Sequence, residues 1–319
     1  MTDRPTIPHM DTETPEENGT GVASYDTVHK YYYTQAMLIV TFIICLFGLV
    51  GNGLMLWFLF FKAKNNICTV YIANLALADT TFLVGSVIIL VVYLCAHSGI
   101  YLSRGAQDAL NIGGILYNIG FNTSSFVLTA ISMERCILVL LPMWYQRRQL
   151  KKQYVIVCVI LWMLSCLVMG LENFVCSADA TYPEPGSEKC TAVYLFTSAL
   201  YILVVILMVL SSLVLLIEIT KTSKECHPPK LYIIIVLSVI IFLLSVVPAR
   251  VLGLLLYFGV LPSNVYLLNA FFITILCTSI YCSANPFAYI FVGIWKRQCF
   301  RCSIMRALEK LFKEETESS

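Results

Sequence analysis

Charge interrupts this amino-acid sequence only at intervals, and the stretches between are the length of a bilayer crossing. Tyr31 to Phe61 contains no Asp, Glu, Lys or Arg. Asn65 to Ser103 contains one, Asp79, while Ala109 to Met133, Gln153 to Leu171, Cys190 to Ile217 and Leu231 to Ala249 contain none. Val251 to Trp295 is equally uncharged but too long for one crossing, and it breaks at the turn-forming run Gly259 to Asn264 around Pro262. A helix needs about 20 apolar residues to cross the hydrocarbon core. Seven spans are therefore predicted, the sixth running past Arg250 to about Phe258. Composition agrees, with 59% hydrophobic and 13% charged residues against about 25% charge in soluble domains. The fold class is an all-α membrane protein, a seven-transmembrane helix bundle.

The basic residues are sorted by side. Fifteen of the 21 Lys and Arg lie around Lys62/Lys64, Arg147 to Lys152, Lys221 to Lys230 and the tail from Lys296 to Lys313. The opposite side holds only Arg4, Lys30, Arg104 and Lys189. Positive charge marks the cytoplasmic side, so an odd number of spans places the N-terminus outside. Residues 1–30 are then an extracellular tail, 31–293 the seven-helix domain, 294–313 an amphipathic helix on the inner face and 314–319 a cytoplasmic tail. The tail before Tyr31 has no apolar core of a signal peptide, so the first span serves as its own insertion signal. It carries a glycosylation sequon at Asn18. After Gly293, Ile304, Leu308 and Leu311 recur at helical spacing among basic residues, the pattern of a helix lying on a membrane. Beside it, Cys299 and Cys302 fit palmitoylation sites or ordinary free thiols equally well. A net charge of +2 gives no sign of nucleic-acid binding, and membrane lipids are the surroundings this surface requires.

No sequence pattern of an enzyme is present. There is no His-Glu-x-x-His helix, Gly-x-Ser-x-Gly elbow or phosphate loop, and none of the four histidines sits at membrane depth beside a ligand partner. No cofactor or metal is expected. Charge at membrane depth is costly, roughly 2.5–3.5 kcal/mol at a helix centre, so Asp79 calls for a function. Asn52 and Asn285 lie at similar depth in spans one and seven, and with Ser124 they offer a set able to hold water or a cation. Glu134 and Arg135 end span three at the inner face.

Taken in order, Asn52, Asn74 to Asp79, Glu134-Arg135-Cys136, Trp162, Pro248 and Asn285 to Tyr289 resemble the signature of rhodopsin-like G-protein-coupled receptors. Each motif is weak alone; six in order, one per span except the fifth, are specific. Leu128 to Cys136, Pro142 to Tyr145, Lys230 to Ile233 and Ser283 to Phe287 are similar to the Mas-related receptors. So are two departures from the general pattern: Leu110 in place of the span-three cysteine, and Val246 in place of the span-six tryptophan. Span five lacks its usual proline. Tyr281 and Cys282 replace smaller polar groups often found at a sodium site, which argues against sodium there.

The resemblance implies a plasma-membrane receptor that binds an extracellular ligand, a peptide or cationic small molecule, and activates heterotrimeric G proteins. Pro248 and Pro286 would bend spans six and seven, and Arg135, paired with Glu134 at rest, would become available to the G protein. Asp79, Asn285, Pro286 and Tyr289 would govern that coupling. Pro228-Pro229 stands where an acidic residue would be needed for a lock between spans three and six, so none is expected. With no cysteine near Leu110, a Cys176–Cys190 bridge across the outer loop is expected, as the Mas-related resemblance also implies. Glu172 matches a glutamate that Mas-related receptors place in their ligand site; Tyr194 stands in place of its acidic companion. Tyr117 replaces the aspartate of amine receptors, which argues against an aminergic site. Glu172 and Arg250 either pair with each other or hold opposite charges of a ligand, with Tyr117, Tyr257 and Phe258 as aromatic walls. A transporter or channel and a non-signalling scaffold are the competing functions; a flux assay and a test of constitutive signalling separate them.

Overall fold

The computed structural model describes residues 21–61, 67–99, 104–141, 151–177, 188–222, 230–257 and 266–294. They form seven helices: α1 (Gly21–Phe61), α2 (Ile67–His97), α3 (Arg104–Leu140), α4 (Lys151–Ser177), α5 (Glu188–Thr222), α6 (Lys230–Tyr257) and α7 (Tyr266–Ile294). Inside a bilayer every backbone N–H and C=O must find a partner within the protein, and a helix provides one for each without a neighbour. No strand occurs among the described residues. The helices have 27 to 41 residues, so at 1.5 Å per residue they are roughly 40 to 60 Å long and their ends stand beyond the hydrocarbon. Six are long and apolar enough to cross a membrane; the described side chains of α6 give a shorter apolar stretch, Ile233–Ser245. The first helix begins at Gly21, earlier than its charge-free run, because charge limits which part lies in lipid and not where a helix starts.

The helices form a closed ring in chain order, α1 against α2 and so on to α7, which returns to α1. Beyond its ring neighbours, α3 also packs on α5 and α6, so it crosses the interior. Every residue from Gly120 to Thr129 is buried. A helix buried on all faces cannot be an outer one. Helices α4 and α5 are the opposite case: 17% and 22% of their most apolar stretches are buried, against 61% in α3. Their exposed Ile160, Met163, Phe196 and Leu210 face the lipid that composition demands.

Glycines let the backbones of α2 and α3 approach closely. A Cβ placed on Gly85 would lie 2.5 Å from the backbone N of Tyr117 and 2.7 Å from the carbonyl O of Gly113. One placed on Gly120 would collide with the backbone of Phe82. Apolar side chains are as content in lipid as in a bundle, so helix association there relies on such close approach. The seam fixes α2 against α3 over the outer half of the bundle, where Leu110 leaves α3 with no cysteine for a covalent tie.

Candidate functional site

Asp79 sits at the centre of the bundle with no exposed surface. Ser124 Oγ on α3 donates to Asp79 Oδ1 at 2.6 Å, and Asn285 Nδ2 on α7 donates to Asp79 Oδ2 at 2.7 Å. Both carboxylate oxygens are therefore engaged, and one residue ties three helices together. The Tyr281 hydroxyl, one turn before Asn285 on α7, lies 3.1 Å from Ser124 Oγ. Tyr281 is 1% exposed, and its ring stands edge-on to Phe242 of α6 at 5.2 Å. The polar centre thus reaches a fourth helix.

Asn52 does not join the carboxylate. Its Nδ2 donates to Gly48 O at 3.0 Å and to Cys282 O at 3.1 Å. The second bond has a cause in the sequence. Proline has no N–H, so Pro286 leaves unpaired the carbonyl four residues earlier, which is that of Cys282. Asn52 supplies the missing donor from α1. Ser283 Oγ donates to Ile44 O at 3.1 Å and Cys45 Sγ lies 3.2 Å from Ser279 Oγ, so α1 and α7 are joined along several turns. A crevice between Asn52, Met55, Ile72, Leu75, Ala76, Asp79, Asn285 and Pro286 is too narrow to hold a water.

At the inner end, Glu134 and Arg135 are both buried. Nearby helices are fixed by rings and an indole: Tyr71 of α2 meets Tyr154 of α4 edge-on at 5.8 Å, and Trp162 Nε1 donates to Asn74 Oδ1 at 3.2 Å. Pro248 lies within α6 on an exposed face, and the helix continues through it to Tyr257.

In the outer half, Tyr117 packs on Phe82 at 4.8 Å and faces Phe271 at 6.3 Å. Phe271 adjoins Phe272, which takes the ring of Tyr93 edge-on at 5.0 Å. Of this cluster across α2, α3 and α7, only Tyr117 was among the expected aromatic walls. Glu172 is half-buried near the end of α4, and Cys190 in the first turn of α5 is disulfide-bonded. The side chains of Cys176, Arg250, Tyr257 and Tyr289, and residues Asn18, Phe258, Cys299 and Cys302, lie outside what the structure describes. Among the described residues no cluster of His, Cys, Asp and Glu suits a metal ion.

The sequence profile of the 7 transmembrane receptor (rhodopsin family) matches residues 51–289, from the glycine before Asn52 to Tyr289. The chain belongs to the rhodopsin-like receptors. Within them it falls among the Mas-related group. It is 39% identical to Proto-oncogene Mas of Rattus norvegicus over 276 residues, covering 85% of this chain and 81% of that protein. It is 40% identical to Mas-related G-protein coupled receptor member H of Rattus norvegicus over 305 residues, 95% and 89% of the two chains. Member X3 of Macaca mulatta is 32% identical over 313 residues, 98% and 92% of the two chains. The receptor is thus a multi-pass plasma-membrane protein and not an enzyme, and its class works with G proteins and extracellular ligands.

Proposed function

We propose that this receptor takes an extracellular peptide or cationic ligand and activates heterotrimeric G proteins, with its N-terminus outside and its Lys/Arg-rich loops and tail inside. The observation that supports this most is the buried Asp79 centre, which joins α2, α3 and α7 and reaches α6 through Tyr281. A polar junction of that kind is held by a few hydrogen bonds, each worth about 0.5–1.5 kcal/mol net. A ligand with a few kcal/mol of preference for another helix arrangement can therefore change which arrangement is populated. In the resting state Glu134 pairs with Arg135; in the active state Arg135 faces the α-subunit of the G protein. Pro248 and Pro286 mark where α6 and α7 lack a backbone bond and yield first.

The ligand site combines Glu172, Arg250, Tyr117, Tyr257 and Phe258, with Tyr117 held in the aromatic cluster of Phe82, Tyr93, Phe271 and Phe272. A cation over such rings gains about 0.5–2 kcal/mol. Cys176 and Cys190 pair across the outer loop, Asn18 is glycosylated, and residues 294–313 lie on the inner membrane face. The deciding experiment is a G-protein dissociation assay in cells expressing the wild type or Arg135→Ala, normalised to surface expression. Loss of constitutive and agonist-evoked signal in Arg135→Ala is expected. Full signalling by that variant at normal surface level would refute the mechanism.

A further inference from the structure

A buried carboxylate in the middle of a membrane bundle must be compensated, either by a cation or by donors from the protein. Here the protein's own donors close the shell. Asp79 Oδ1 takes the Ser124 hydroxyl and Asp79 Oδ2 takes the Asn285 amide. The Tyr281 hydroxyl lies 3.1 Å from Ser124 Oγ, at the end of a side chain that is fully enclosed. A hard cation needs a shell of several oxygens at short range. What remains near Asp79 is Asn285 Oδ1, buried without a partner, beside a crevice that does not admit a water. The residues present do not fit a cation.

Tyr281 is also the group through which this centre touches α6. Its ring meets Phe242 at 5.2 Å and 79°, an edge-to-face contact of the favourable kind. Phe242 has no exposed surface, so a displacement of the tyrosine ring is passed to α6 and not absorbed by solvent or lipid.

We propose that Tyr281 is the resident occupant of the central polar site: its hydroxyl stands where a cation would otherwise be held beside Asp79 and Ser124, and its ring relays the state of that site to Phe242 on α6. Tyr281 is a positioning residue, acting through Ser124 and Phe242. The receptor is accordingly indifferent to sodium, and the tyrosine is the reason.

The test is the melting temperature of the full-length receptor in detergent, in sodium chloride and in N-methyl-D-glucamine chloride at matched ionic strength, so that screening is equal. The wild type melts at the same temperature in both. Tyr281→Phe, which keeps the ring and removes the hydroxyl, melts lower by the same amount in both and shows altered basal signalling per surface receptor. Tyr281→Asn, which vacates the ring volume, gains a rise specific to sodium. Specific stabilisation of the wild type by sodium would overturn the proposal. So would a Tyr281→Phe receptor matching the wild type in melting and basal signal, or a folded Tyr281→Asn receptor that ignores sodium. Should Tyr281→Asn fail to fold, the wild-type comparison and Tyr281→Phe still decide. The salt comparison needs no G protein, so its failure is distinct from failure of the signalling function proposed above.

Discussion

Adding a single methyl group to the α2–α3 seam tests how this bundle is held together. In Gly85→Ala the new Cβ would lie 2.5 Å from Tyr117 N, 2.7 Å from Gly113 O and 3.0 Å from Leu116 C, all backbone atoms. Ordinary contact begins at 3.4 Å, so α2 and α3 must part locally by roughly 0.9 Å, the difference between 3.4 and 2.5. No side chain can rotate away to relieve it, and overpacking of this kind costs about 1–3 kcal/mol. Parting the helices also loosens every contact the seam aligns, including Tyr117 on Phe82. Gly114 and Gly53 provide internal controls, since a Cβ at either meets nothing within 4 Å. Alanine there relieves the backbone entropy of a mid-helix glycine and stabilises by about 0.5–1 kcal/mol. The expected order of melting temperatures for detergent-purified receptor is Gly114→Ala above wild type and wild type well above Gly85→Ala, with surface expression following the same order. If Gly85→Ala melted like Gly114→Ala, the seam would not be under the close constraint described, and the packing argument would fail.

The proline-carbonyl argument makes a sharper test than a single deletion. Asn52→Ala leaves Cys282 O without its donor and is expected to cost about 1–3 kcal/mol; in a Pro286→Ala background, where α7 regains its own N–H, that cost should shrink, as a double-mutant cycle of melting temperatures would read. Breaking the Cys176–Cys190 bridge by Cys190→Ser should remove about 3 kcal/mol of stability on the chain-entropy model, and peptide mapping without reductant that found Cys176 alkylatable in the wild type would refute the pairing. Glu172→Gln and Arg250→Gln should each reduce agonist potency about tenfold or more if each holds a ligand charge, since a lost charged hydrogen bond is worth about 1.5–3 kcal/mol. Unchanged potency in both variants would remove them from the ligand site, and recovery on exchanging the two residues would show that they pair with each other.

The fold was legible because lipid forbids charge, and gaps in charge can be read directly from a sequence. Depth was legible for the same reason: Asp79, Asn285 and Ser124 were recognisable as polar groups at one level, and the structure brings them together. Azimuth was not. In a soluble helix a stripe of apolar residues reveals which face is inward, but a membrane helix is apolar all round and the stripe disappears. Tyr281 therefore read as a departure from a sodium site and not as a member of the network, although its place one turn from Asn285 put both on one face of α7. Asn52 read as a neighbour of Asp79 by depth alone, while its rotation about α1 aims it at Cys282 O. The glycines make the same point without any chemistry. Gly113 and Gly114 are adjacent in sequence, yet a Cβ on the first would lie 3.1 Å from Gly85 O and one on the second would meet nothing within 4 Å. Nothing local separates them, because what distinguishes them belongs to α2. A sequence of this kind states how deep each group lies and leaves the partner on the next helix to the packing.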